Sequence, residues 1–154
     1  MSAIEIIAVA GLLAWLYLVL LHGGFWRTRE REEVHDFRDS PSNFDWPSIV
    51  AIIPARNEAD VLPRSLASLA AQNYPGEFSI VLVDDQSSDG TSDVAQRIAN
   101  DAGRKITVVS GAALPSGWTG KVWAMHQGIA VASDQADAPQ YFLLTDADIG
   151  YEPD

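Results

Sequence analysis

Apolar positions fall along this chain in one long block and then in short bursts set between polar, helix-spaced stretches. The long block, residues 3–21, is broken only by Glu5. A helix crosses the hydrocarbon core of a bilayer with about 20 apolar residues, so the block predicts one N-terminal transmembrane helix, with residues 1–24 as the anchor. A cleaved signal peptide would need a basic segment, a shorter apolar run and small residues at the cut. No Lys or Arg precedes this run, and Leu20-Leu21-His22 offers no small residues. A buried helix of a soluble protein is the remaining alternative. Arg27, Arg29 and Arg31 follow the block directly, which places the C-terminal side in the cytoplasm by the positive-inside rule. Trp26 suits the interface. Residues 25–47 are polar and rich in turn formers, Asp39-Ser40-Pro41-Ser42-Asn43 among them, and read as a linker.

Beyond residue 47 the bursts change period. Residues 48–53 (SIVAII) form a short β-branched run closed by Pro54, the pattern of a buried parallel strand. Residues 59–72 carry Leu62, Leu66 and Leu69 at helical spacing, with Pro63 tolerable in the first turn. A second strand is expected at 78–83, a second helix at 91–102 and a third strand at 106–109. A Gly- and Pro-containing loop fills 110–120, a helix follows over 121–133, and a fourth apolar strand, read as buried, spans 141–145. This alternation predicts an α/β domain over 48–154, a mostly parallel sheet with helices on both faces.

In such sheets ligands bind beyond the carboxyl ends of the strands, and polar clusters stand at those places. Arg56-Asn57-Glu58 follows the first strand, Asp84-Asp85 the second and Asp146-Ala147-Asp148 the fourth. Two carboxylates separated by one residue can approach one cation, and hard cations such as Mg²⁺ and Mn²⁺ keep open positions for phosphate. A solvated Asp-rich turn is the bland reading of the same three residues. Asp85 can accept from a nucleobase or ribose, with Asp84 beside it, whereas Asp89 or Thr91 suits a helix cap and Gly90 a special backbone conformation. Arg56, Asn57 and Glu58 can meet a nucleotide or, for the last two, start a helix. Lys121 stands at a helix start, where the dipole disfavours a cation unless an anion such as a diphosphate is shared there. Trp118 and Trp123 read as packing residues, although Trp118 could stack on a ligand, and His126 as a core or surface histidine.

Charge and composition narrow the chemistry. The net charge is −11, and residues 48–154 carry six basic and fourteen acidic side chains. A domain this acidic is a poor polyanion binder, so nucleic acid is disfavoured as a partner. With no cysteine, disulfides, thiolate zinc sites and a Cys nucleophile are excluded. No G-x-G-x-x-G follows the first strand, and the Gly120-Lys121 pair is not a P-loop because Pro115 and Val122 occupy positions that need Gly and Ser or Thr. G-x-S-x-G and H-E-x-x-H are absent. An aspartyl-phosphate phosphatase would open with its Asp-bearing strand, which here is the fourth.

Pro54-Ala55-Arg56-Asn57-Glu58, Val83-Asp84-Asp85-Gln86-Ser87-Ser88-Asp89-Gly90-Thr91 and Asp146-Ala147-Asp148 together resemble the inverting family 2 glycosyltransferases of GT-A fold. That resemblance implies a nucleotide-diphosphate sugar donor, usually a UDP-sugar, and Mg²⁺ or Mn²⁺. Carried over by position, Asp85 would contact the base, Asp146 would lie near the ribose or metal, Asp148 would ligate the metal, and Lys121 would lie near the diphosphate. The span together with Leu114-Pro115-Ser116-Gly117-Trp118-Thr119-Gly120-Lys121-Val122-Trp123-Ala124 resembles the hopanoid-biosynthesis-associated subgroup, and a membrane-proximal or lipid acceptor follows from location. His126 stands where that branch often has Asn. The family's acidic base motif and Gln-x-x-Arg-Trp motif have no counterpart before Asp154, so the sequence reads as an N-terminal part, inactive alone. A nucleotidyltransferase, a non-catalytic nucleotide-sugar-binding module and a membrane-tethered adaptor are the competing readings.

Overall fold

The computed structural model describes residues 2–22, 44–134 and 138–152. It divides into two compact units, Met1–Ser42 and Asn43–Asp154. In the first, α1 runs over Ala3–Leu20. Ser2 and Glu5 close its N-terminus as a reciprocal capping box: Glu5 N–H donates to Ser2 Oγ at 3.3 Å, and Ser2 N–H to Glu5 Oε2 at 3.0 Å. Its 18 residues span about 27 Å at 1.5 Å per residue, and none is buried. It is long and apolar enough to cross a membrane. Trp26, Arg27, Arg29, Arg31 and most of the 25–47 linker lie outside the described residues.

The second unit is an α/β sheet. Its strands are β1 (Ile49–Ala55), β2 (Phe78–Asp84), β3 (Ile106–Ser110) and β4 (Tyr141–Leu144), in the order β3-β2-β1-β4 with every pairing parallel. Its helices are α2 (Leu62–Ala70), α3 (Thr91–Asp101) and α4 (Gly120–Ser133). Alternate side chains of a strand face opposite sides, and both sides of the central strands are apolar here. Ala51, Ile53, Ala55, Ile80 and Leu82 pack against Leu62, Leu66 and Leu69 of α2 and Ala95 of α3. Val50, Ile52, Val81 and Val83 pack against Ala124 and Ala132 of α4. Helices therefore cover both faces, as expected. Gly128 brings α4 in close: a Cβ there would lie 2.6 Å from the Ile52 side chain.

Three details differ from the sequence expectations, each for a local reason. First, β1 continues through Pro54, which was expected to end it. Ile52 C=O accepts from Thr145 N–H on the β4 side, so Pro54, two residues on, turns its missing N–H to the same side, above the end of β4. No ladder bond is lost there. Second, α2 begins at Leu62 rather than residue 59, because the N–H groups of Asn57, Glu58 and Ala59 are held by side chains of the 84–91 loop. They donate to Ser87 Oγ (2.9 Å), Thr91 Oγ1 (2.8 Å) and Asp89 Oδ2 (3.0 Å). Third, β4 is apolar but not buried. It is an edge strand, and Tyr141, Phe142, Leu143 and Leu144 are 38–62% exposed. Residues 44–47, read as the end of the linker, join this unit: Trp46 meets Tyr74 edge-on at 5.6 Å, and the Tyr74 hydroxyl donates to Pro47 C=O at 2.7 Å.

Candidate functional site

The loops leaving β1, β2 and β4 and the start of α4 enclose a cleft of about 330 Å³. It is lined by Arg56, Glu58, Asp85, Lys121, Asp146 and Asp148, together with Pro54, Ala55, Gly120 and Ala147. Six of the side chains singled out in the sequence thus meet in one place, at the carboxyl end of a parallel sheet.

The walls are built differently. Asp85 follows β2 directly, and its N–H donates to Ala55 C=O at 2.8 Å, extending the β1–β2 ladder by one bond. Its carboxylate is buried and ion-paired with Arg56, whose Nη1 stands 3.4 Å from Oδ2. Asp146 stands on the opposite wall, half exposed, and takes the Lys121 ammonium at 2.6 Å. Gly120 permits the first turn of α4 to approach Asp85: a Cβ at 120 would lie 2.8 Å from Asp85 Oδ2. Thr119 makes no side-chain cap bond, which leaves the first N–H groups of α4 open beside Lys121. Lys121 and these donors offer an anion a partner of positive charge.

Two expected contacts fall elsewhere. Asn57, with φ of 55°, caps neither α2 nor the cleft; its Oδ1 accepts from Ser88 N–H at 2.9 Å. Asp84 turns away, its Oδ1 accepting from Ser87 N–H at 3.0 Å. Asn57 thus ties the β1 exit loop to the β2 exit loop, and Asp84 closes a turn within its own loop. Asp89 Oδ1 accepts from Thr91 N–H at 3.0 Å, and Gly90, with φ of 91°, is the residue that caps the start of α3. Hydrogen bonds from the Thr91 hydroxyl, then from Ala59 N–H, hold the Asp89 carboxyl below its ordinary 3.8. Trp118, Trp123 and His126 form a three-ring cluster outside the cleft, with His126 stacked on Trp123 at 5.3 Å. Gly120 was not counted among the site residues in the sequence; a glycine directly before a lysine at a helix start is the signal that would have marked it.

The donor set suits a hard divalent cation. Asp146 and Asp148 flank the buried Ala147 and both line the cleft, whereas no group of three His, Cys, Asp or Glu converges among the described residues. Two carboxylates leave most of a six-oxygen shell for water and phosphate, the usual arrangement for Mg²⁺.

Residues 50–154 match the family model described as Glycosyl transferase family 2. The chain belongs to this family. Among its relatives, a 4,4'-diaponeurosporenoate glycosyltransferase of Staphylococcus aureus is 31% identical over 117 residues, 73% of this chain and 29% of that protein. An N-acetylglucosaminyltransferase of Mesorhizobium japonicum is 47% identical over 51 residues, 32% of this chain and 12% of that protein. The chain thus spans under a third of the length of these relatives. Among solved structures, the mannosyltransferase PcManGT from Pyrobaculum calidifontis, in complex with GDP-Man and Mn²⁺, matches with a TM-score of 0.61 at 25% identity, over 94% of this chain and 39% of its own. S. aureus TarS 1-349 in complex with UDP matches at 0.50 and 27%, over 66% of this chain and 27% of its own. The fold is that of the GT-A glycosyltransferases.

Proposed function

We propose that the cleft binds a nucleotide-diphosphate sugar, and that this chain is the donor-binding part of a metal-dependent, inverting glycosyltransferase working on a lipid or membrane-proximal acceptor. The observation that carries the reading is the convergence of Asp85, Lys121, Asp146 and Asp148 on one strand-end cleft. Family membership and the neighbours holding UDP or GDP-Man with Mn²⁺ support it.

The residues divide the ligand between them. Asp85, fixed by Arg56 and by its place in the ladder, accepts from the base, and a UDP-sugar is the donor favoured. Glu58 and Arg56 border the same end. Lys121 and the open N–H groups of α4 hold the diphosphate. Asp146 and Asp148 hold Mg²⁺ or Mn²⁺, which when bound offsets charge on the departing nucleotide. No cleft residue is assigned as the base that activates the acceptor. In the same reading α1 anchors the chain in a membrane, the basic flank at Arg27, Arg29 and Arg31 keeps the cleft cytoplasmic, and the segment 114–124 marks the hopanoid-associated subgroup.

Calorimetry on the full chain in detergent tests the site. UDP is expected to bind at least tenfold more tightly with Mn²⁺ than without, and Asp148→Asn to abolish that difference. GDP in parallel tests the base preference. Binding of equal strength with and without Mn²⁺ would remove the metal from the reading; absence of any nucleotide binding would remove the donor.

A further inference from the structure

The Asp146–Asp148 loop leaves an exposed edge strand, yet its backbone is pinned. The pins come from one face of α2. Ser65 is buried, and its hydroxyl donates to Ala147 C=O. Three residues along the helix, Ser68 Oγ accepts from Tyr151 N–H at 2.9 Å. Gln72, just past the helix end, donates from Nε2 to Glu152 C=O at 3.0 Å. A fourth tie lies within the loop, where the Thr145 and Tyr151 hydroxyls are hydrogen-bonded. A spacing of three residues puts Ser65 and Ser68 on one face of α2, and Gln72 continues the contact just beyond the helix, so one element and its exit fix the loop at both ends.

The first pin is the informative one. Ala147 lies between the two acidic residues and is buried in the core cluster that includes Leu62, Leu66 and Leu69. Its carbonyl belongs to the peptide that leads into Asp148. With the residue buried and its carbonyl held by Ser65, the backbone of Ala147 has little freedom to turn. The directions in which Asp146 and Asp148 leave that backbone are set accordingly. Removing the hydroxyl at 65 leaves a buried carbonyl without that donor and frees the peptide to rotate. Neither serine lines the cleft, so any effect they have on a ligand is transmitted through the loop.

We infer that Ser65 and Ser68 are positioning residues that hold the two carboxylates in the spacing a divalent cation needs. The inference rests on the metal reading of Asp146 and Asp148 given above. Groups that orient metal ligands from behind typically change metal affinity by roughly 10- to 100-fold when removed.

The test is Mn²⁺ titration of the full chain in detergent, followed by electron paramagnetic resonance with UDP present, alongside thermal melting. Ser65→Ala is expected to weaken Mn²⁺ by about tenfold and to broaden the bound-Mn²⁺ spectrum. Ser68→Ala should act in the same direction, with Ser68→Thr restoring affinity because it keeps the acceptor. Val81→Ala, in the core on the face of the sheet opposite α2, should lower the melting temperature and leave the affinity of the folded protein unchanged. Mn²⁺ affinity and spectrum unchanged in both serine-to-alanine variants, while Asp148→Asn loses the ion, would overturn this inference alone. Mn²⁺ binding indifferent to Asp148→Asn would overturn the metal reading and this inference with it.

Discussion

The two walls of the cleft make opposite use of their carboxylates. On one wall Asp85 is buried, extends an interior ladder and is paired with Arg56. On the other, Asp146 is half exposed on a loop beyond an edge strand, its visible partner a flexible lysine. A group that recognises a ligand by hydrogen bonding gains from being fixed in advance, whereas a group that takes up a cation must have oxygen lone pairs to give. The first wall is made rigid by the sheet. The second is left open in front and made rigid from behind, by α2.

Four changes break or sharpen this contrast. The largest effect is expected at the staple behind the Asp85 wall. Thr91 is fully buried, and Thr91→Val keeps its shape while leaving Glu58 N–H without its acceptor. A loss of about 2 kcal/mol is expected in denaturant unfolding. Next, Gly120→Ala places a methyl against the Asp85 carboxylate. Nucleotide affinity should fall about tenfold, close to 1.4 kcal/mol, with little change in melting temperature; an unchanged affinity would detach Asp85 from nucleotide binding. Third, Lys121→Met removes the exposed ion pair with Asp146, a contact of modest strength. UDP affinity should fall roughly threefold by calorimetry, while Mn²⁺ alone gains a carboxylate no longer shared with an ammonium.

The smallest effect is electrostatic. The Asp89 carboxyl is held below its ordinary 3.8 by hydrogen bonds from Thr91 and Ala59. Its contribution to stability is therefore complete above that value and is lost as the pH falls through the depressed one. Asp89→Asn should flatten this acid-side part of the stability profile in melting experiments between about pH 2 and 5.

The strands and the faces they bury could be read from short β-branched runs, because a strand covered on both sides has no polar period to obscure it. The cleft was legible for a related reason: charged residues directly after such runs have few places to go except the strand ends. Three features were not legible. The late start of α2 depends on Ser87, Asp89 and Thr91 reaching across from another loop, a contact with no local pattern. The exposure of β4 is invisible in Tyr141-Phe142-Leu143-Leu144, since apolar composition does not say whether a neighbour is present. Ser65 looks like any small polar residue of a helix until Ala147 C=O is found beside it.

Pro54 has a consequence that reaches beyond β1. Sheets grow by adding strands wherever a row of N–H and C=O groups is free. On the β4-facing side of β1, Pro54 is the position above the last pair, Ile52 with Leu144, and a strand extended past that pair would run toward the cleft. Proline has no N–H to give at that step, so the pairing stalls where the cleft begins. One imino acid thus ends the donor row of β1 at the mouth of the cleft.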